Sequence, residues 1–208
     1  MEHGEAERPQ DSQTGPSAPH RPRLTTNAYL TTVCNMDSDD ISDGIRHADT
    51  QHPCAGVTIE TADPAGDEAR ACLAYYFEEL QRRFDTGFDP AASVSADPEE
   101  LVPPSGWFLL ARLGGEAVGC GALKVQEQGF GELKRMWVAP QLRGLGLARR
   151  LLAALEAQAA AAGVRVLRLD TSRHLPEARA LYIKSGYVEI AAYNDNPYAD
   201  HWFEKRVS

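Results

Sequence analysis

Long hydrophobic runs are missing from this 208-residue chain. No stretch approaches the ~18 consecutive apolar residues that a membrane helix needs, and the polar N-terminus has no apolar centre like that of a secretory signal. The expected address is therefore cytoplasmic, with no membrane partner. Cysteine is sparse too: Cys34, Cys54, Cys72 and Cys120 are widely spaced and never form a C-x-x-C pair, which argues against a metal knuckle or a disulfide framework. No metal is expected. Excess positive charge is also lacking, since 21 Lys and Arg stand against 30 Asp and Glu for a formal net charge of -9. That balance disfavours non-specific binding to nucleic acid or to an anionic surface, and it tolerates a cationic small molecule or basic peptide.

What is present is the balance of a globular domain, 43% hydrophobic and 25% charged. Residues 1–55 are rich in Pro, Ser, Thr, Asp, His and Gln without apolar periodicity, and read as a disordered tail because they bury too little apolar surface to offset ordering entropy. Residues 56–208 read as one domain. "VTIET" alternates as a half-buried strand, and the stretch "GDEARACLAYYFEELQRRF" carries apolar residues at helical spacing with acids first and arginines last. Asp85 to Gly106 reads as loops broken by prolines. Three strands joined by hairpins follow, the first turn made by Gly114-Gly115 and the third strand being "GELKRMWV". A leucine-striped helix stopped by Gly163, a strand "VRVLRLD", a helix "PEARALYIK" and two last strands around 187–191 and 201–207 complete the pattern. Antiparallel hairpins followed by β-α-β predict an α/β fold with a mixed sheet and helices on its faces.

The chemistry concentrates in "PQLRGLGLA", a glycine-rich turn between a strand ending near Val138 and a helix starting near Gly144. Unpaired amides at a helix N-terminus attract phosphate, glycines at 144 and 146 admit it close to the main chain, and Arg143 adds a charge-assisted contact. A Walker loop is excluded because no G-K-[ST] follows. As a Rossmann fingerprint the stretch has Arg149 where the third glycine belongs, although Asp170 lies about where the ribose-binding acid would be. The strand before it is also too polar for a buried parallel strand. A helix entry that uses glycine only for close packing is the plainest alternative.

Strand, then V-x-P, then Q-x-x-G-x-G, an amphipathic helix, a strand and "EARALYIKSGY" together resemble the GNAT superfamily of N-acetyltransferases over roughly Val57 to Val207. Its cofactor motif [RQ]-x-x-G-x-[GA] is matched by Gln141, Gly144 and Gly146. The resemblance implies a mostly antiparallel sheet with a parallel splayed pair and acetyl-CoA as co-substrate. It implies a pyrophosphate site over Gln141, Leu142, Arg143, Gly144, Leu145, Gly146, Leu147 and Ala148, with Met136, Trp137 and Val138 beside the acetyl and pantetheine portion. It further implies Glu132 as general base and Tyr182 as the acid that protonates the leaving thiolate; local sequence equally allows an exposed Glu132 paired with Lys134 and a core tyrosine. Many relatives carry Asn where this chain has Leu175, after His174, which puts a cofactor contact in doubt. The acceptor, a primary amine of a small molecule or, second, of a protein, would lie between "RRFDTGFDP" and "YNDNPYADHW". In the latter, Tyr193, Asp195, Tyr198, Asp200 and Trp202 form either an ammonium-binding wall or an ordinary polar hairpin. A non-catalytic acyl-CoA-binding module on the same fold is the second reading, and a homodimer is compatible with either.

Overall fold

The computed structural model describes residues 54–94 and 96–208. Except for Cys54 and Ala55, which form a turn before the first strand, the expected N-terminal tail lies outside the described residues. Seven strands make one sheet in the order β1-β2-β3-β4-β5-β7-β6. They are β1 (Val57–Thr61), β2 (Gly106–Leu113), β3 (Glu116–Val125), β4 (Gly131–Val138), β5 (Val166–Thr171), β6 (Val188–Ile190) and β7 (His201–Arg206). The helices are α1 (Asp67–Arg83), α2 (Leu147–Ala161) and α3 (Pro176–Lys184). Every expected element is present, and the loop from Asp85 to Gly106 adds only two short 3-10 turns.

The two large helices cover opposite faces of the sheet. Along β3, Gly119 and Gly121 turn toward Leu151 and Leu155 of α2, whereas Cys120 between them meets Cys72 of α1, as the two-residue alternation of a strand requires. Glycine is needed there for closeness: a Cβ on Gly121 would lie 2.9 Å from Leu155 Cδ1 and 2.7 Å from the Met136 sulfur. Leu147, Leu151, Leu152 and Leu155 form the buried stripe of α2, packed with Phe108, Leu123, Leu167 and Phe203 from the sheet. Such a face stabilises by about 25 cal/mol per Å² of apolar surface removed from water.

Two irregularities interrupt β4. Its pairing with β3 slips between Cys120 and Ala122, so that one extra residue bulges from β4, and Arg135 takes a left-handed φ of 57° there. Its parallel pairing with β5 consists of Gly131 with Leu167 and Glu132 with Arg168. Beyond Glu132 the two strands part, opening the sheet along the second half of β4.

Candidate active site

A cleft of about 500 Å³ lies at this opening, walled by α1, the end of β4, the glycine turn and α3. The turn departs from expectation in one respect: α2 begins at Leu147, not near Gly144. Residues 140–142 form a 3-10 turn, and Gly144 and Gly146 adopt φ of 76° and 84°, left-handed values that end one turn before the next starts. No side chain caps α2. Among the described residues, none of the amides of residues 144–149 donates to a backbone carbonyl, so unpaired donors gather at the positive end of a helix whose first residues line the opening.

Of the expected cofactor residues, Met136, Trp137, Val138, Leu142, Arg143, Gly144, Gly146, Leu147 and Ala148 line the cleft. Gln141 is exposed and, like Leu145, does not line it. Arg143 is turned elsewhere than expected. Its guanidinium grips Glu79 of α1 with both terminal nitrogens, Nη1 at 2.9 Å from Oε1, and its Nε donates to the Val138 carbonyl at 3.0 Å. Glu79 also accepts from Trp137 Nε1 at 3.1 Å and pairs with Arg83 at 3.3 Å. Sequence reasoning missed Arg149 and Lys184, two cleft cations without an ion-pair partner among the described residues. The position of Arg149, three residues past Gly146 in the first turn of α2, was the available signal.

Glu79 yields a pH prediction. Burial pushes its carboxyl up, but hydrogen bonds and charge from Arg143, Trp137 and Arg83 outweigh that and hold it below its ordinary value. A depressed folded-state pKa stabilises above the unfolded pKa of ~4.3 and loses its contribution as pH falls through the folded value. Glu79→Gln is expected to destabilise the domain by ~1–3 kcal/mol at pH 7. The difference from the parent should shrink below pH ~4, as read by urea unfolding at both pH values.

Glu132 is neither an exposed strand glutamate nor part of the cleft wall. It is 1% exposed, and its carboxylate accepts from Gln126 (2.5 Å), Tyr193 (2.9 Å) and Asn194 (3.2 Å) while pairing with Lys134 at 3.0 Å. Asn194 also donates to Asp170 at 2.8 Å and accepts from Trp202 Nε1, and Asn196 holds the other Asp170 oxygen at 2.8 Å. A buried polar cluster of this kind is stable only because each member is satisfied. Next to it lies a smaller chamber of about 90 Å³, lined by Asp170, Lys134 and Arg135 together with Phe84, Phe88 and Tyr198. Both expected acceptor walls therefore contribute, "RRFDTGFDP" through its two phenylalanines and the C-terminal stretch through Tyr198 and Asn196. Of the five side chains read in that stretch as either an ammonium wall or a polar hairpin, Tyr198 lines the chamber, Tyr193 and Trp202 are committed to the Glu132 cluster, and Asp200 clamps Ser172 and Arg173. The acid facing the chamber is Asp170, on β5.

Tyr182 lines both the cleft and the chamber. Its ring packs on Tyr187 and Phe203. Burial, with Tyr76 and Asp170 nearby, pushes its hydroxyl far above the ordinary tyrosine range. The hydroxyl is protonated at neutral pH. Tyr76, across from it on α1, also lines both spaces and is pushed up to about 12, mainly by burial. Leu175 does line both spaces, presenting an apolar surface where an amide was expected in many relatives. Among the described residues, no three His, Cys, Asp or Glu side chains converge as a metal site, and no helix is long and apolar enough to cross a membrane.

The sequence profile of the Acetyltransferase (GNAT) family matches residues 71–187. The chain is 37% identical over 134 residues to an IAA acetyltransferase of Azospirillum brasilense, covering 64% of this chain and 85% of that protein. It is 32% identical over 94 residues to an aminoalkylphosphonate N-acetyltransferase of Salmonella typhimurium, covering 43% of this chain and 61% of the relative. Among solved structures, a Klebsiella pneumoniae protein proposed to be an acyl-CoA N-acyltransferase superposes with a TM-score of 0.59 at 36% identity, over 73% of this chain and 98% of that one. A GNAT-family acetyltransferase from Staphylococcus aureus shares the fold at 18% identity, with a TM-score of 0.61 over 73% of this chain and 99% of that one. The mostly antiparallel sheet removes the dinucleotide-binding alternative, and the splayed strands with an uncapped glycine turn beside them have their explanation in this kinship: the chain belongs to the GNAT family of acetyltransferases.

Proposed function

We propose that this protein transfers the acetyl group of acetyl-CoA to a primary amine of a small molecule. One observation carries the reading: Tyr182 stands where a cleft with a phosphate-binding turn meets a small polar chamber. The cleft residues fit the cofactor. The free amides of residues 144–149 suit a pyrophosphate, and Arg149 and Lys184 supply positive charge for further phosphate oxygens. Trp137, Val138 and Ala178 offer an apolar path from there toward Tyr182. Acetyl-CoA supplies an acyl group activated as a thioester. The chain's residues bind the amine in the chamber, remove one proton from its ammonium form and protonate the departing sulfur. In the balanced reaction the nitrogen–carbon bond forms, the carbon–sulfur bond breaks, CoA leaves as the thiol and one proton is released.

Tyr182, protonated and at the junction, is the acid. Glu132 is the base we favour, acting through the polar cluster, because Lys134 touches it and also lines the chamber. Glu132→Gln is expected to lower kcat by ~10²-fold. The small chamber favours a small amine over a protein side chain. The test is thiol release from acetyl-CoA across an amine panel. Amine-dependent thiol with N-acetylated product supports the reading; acetyl-CoA binding without turnover on any amine would make the protein the non-catalytic module instead.

A further inference from the structure

We infer that the acceptor is a small zwitterion, an amine that carries an acidic oxyanion group, and that Arg135 selects it. The inference rests on the proposed acetyl transfer and deepens it. The chamber has three charged residues in its wall, Lys134, Arg135 and Asp170. Lys134 is committed to Glu132 at 3.0 Å and lies 3.8 Å from Asp170. Arg135 has no carboxylate within 4.0 Å among the described residues. Its guanidinium instead lies 4.9 Å from the centre of the Phe77 ring, and it shares the chamber wall with Tyr76. A guanidinium stacked on an aromatic ring keeps its remaining N–H donors in plane and available, and their natural acceptor is a carboxylate or a phosphonate gripped by two parallel bonds.

The backbone at Arg135 supports a functional placement. Its φ of 57° is left-handed, in the middle of a strand, at the β4 bulge. A non-glycine residue held there is strained and persists only where the surroundings impose it. The bulge breaks the alternation of β4, so that Leu133, Lys134, Arg135 and Met136 all reach the chamber, which a regular strand does not allow for consecutive residues. On the other side, Asp170 is held by the Asn194 and Asn196 amides, one on each oxygen. Each oxygen keeps a lone pair for an ammonium. Arg135 and Asp170, of opposite charge, line the same small chamber as Tyr76. An ammonium at Asp170 and an oxyanion at Arg135 make an α- or β-amino acid, or its phosphonate counterpart, the complementary ligand. Phe84, Phe88 and Tyr198 remain for its side chain.

The experiment is a substrate series on the full chain with acetyl-CoA saturating: each standard amino acid, its carboxamide, its decarboxylated amine and the matching aminophosphonate. The best acid or phosphonate should exceed its carboxamide and plain amine in kcat/KM by ~10- to 100-fold, the value of a charge-assisted contact. Comparing carboxylate with phosphonate then shows which oxyanion fits. In Arg135→Gln the acid-to-amide ratio should collapse toward one, chiefly through KM, while Arg135→Lys keeps part of it. Thermal unfolding of both variants reports whether the bulge survives. Calorimetric binding of the acid to the CoA-loaded protein gives a readout free of turnover. Amides and plain amines acetylated as well as acids overturn this inference and leave the acetyltransferase reading standing. A ratio unaltered in Arg135→Gln overturns it as well. Acetyl-CoA binding without turnover of any amine overturns both.

Discussion

Tyr182→Phe lowers kcat by ~10²- to 10³-fold and leaves acetyl-CoA affinity and thermal stability close to those of the parent. The expectation follows from where the hydroxyl is and what it touches. Tyr182 is only 6% exposed, yet its hydroxyl makes no hydrogen bond with the protein among the described residues; the groups that act on it, Tyr76 and Asp170, do so by charge alone. Removing it therefore leaves no buried partner unsatisfied, and the phenyl ring keeps its contacts with Tyr187 and Phe203. What disappears is a proton at the junction of cleft and chamber, which a tyrosine carries at neutral pH. A leaving thiolate then departs without an acid. Steady-state kinetics and acetyl-CoA calorimetry on the same preparation check it. Parent-like kcat would return Tyr182 to the core and remove it from the chemistry.

The double substitution Gly144→Ala, Gly146→Ala is expected to weaken acetyl-CoA binding by ~10- to 100-fold, with a smaller loss of stability of ~1–2 kcal/mol per site. Both residues have left-handed φ, and a Cβ at either would meet no protein atom within 4 Å. The stability loss is therefore a backbone cost alone. The loss of affinity has a different source: both glycines line the cleft, and methyl groups there crowd the close approach of a pyrophosphate to the main chain of the turn. Gly163, beside the end of α2, is the matched control, with φ of 80° and the same open space but no place in the cleft wall. Gly163→Ala should cost comparable stability and no affinity. Equal affinity in the double variant and the parent, measured by calorimetry, would place the phosphates elsewhere.

The structural features behind both predictions were legible in the sequence because each rests on local information. A glycine turn entering a leucine-striped helix declares itself within ten residues, and Tyr182 is marked by the helix "EARALYIK" and the Gly186 that ends it. The antiparallel hairpins were equally local. What the sequence hid was decided over distance. Local sequence left Glu132 open between a base and an exposed strand glutamate, because its own strand is polar, and its burial depends on Tyr193 and Asn194, sixty-one and sixty-two positions away. The same holds for Arg143, whose expected phosphate contact ignored Glu79, sixty-four positions earlier on α1. The last two strands were found, but β7 rather than β6 lies beside β5. That order brings the 193–200 loop over the open end of β5, which places Asn194 and Asn196 on Asp170. Asp170, first notable as a candidate ribose ligand, thereby becomes the chamber acid. The β4 bulge that presents Arg135 has no sequence signature at all, since arginine is a residue disfavoured at positive φ.

The central claim is that the glycine turn serves coenzyme A, and equilibrium binding tests it most directly. Titration of the full chain with acetyl-CoA and, separately, with NADH should give a Kd at or below ~10 µM for acetyl-CoA and no saturable heat for NADH up to ~1 mM. Saturable NADH binding with acetyl-CoA silent at the same concentrations would contradict the account.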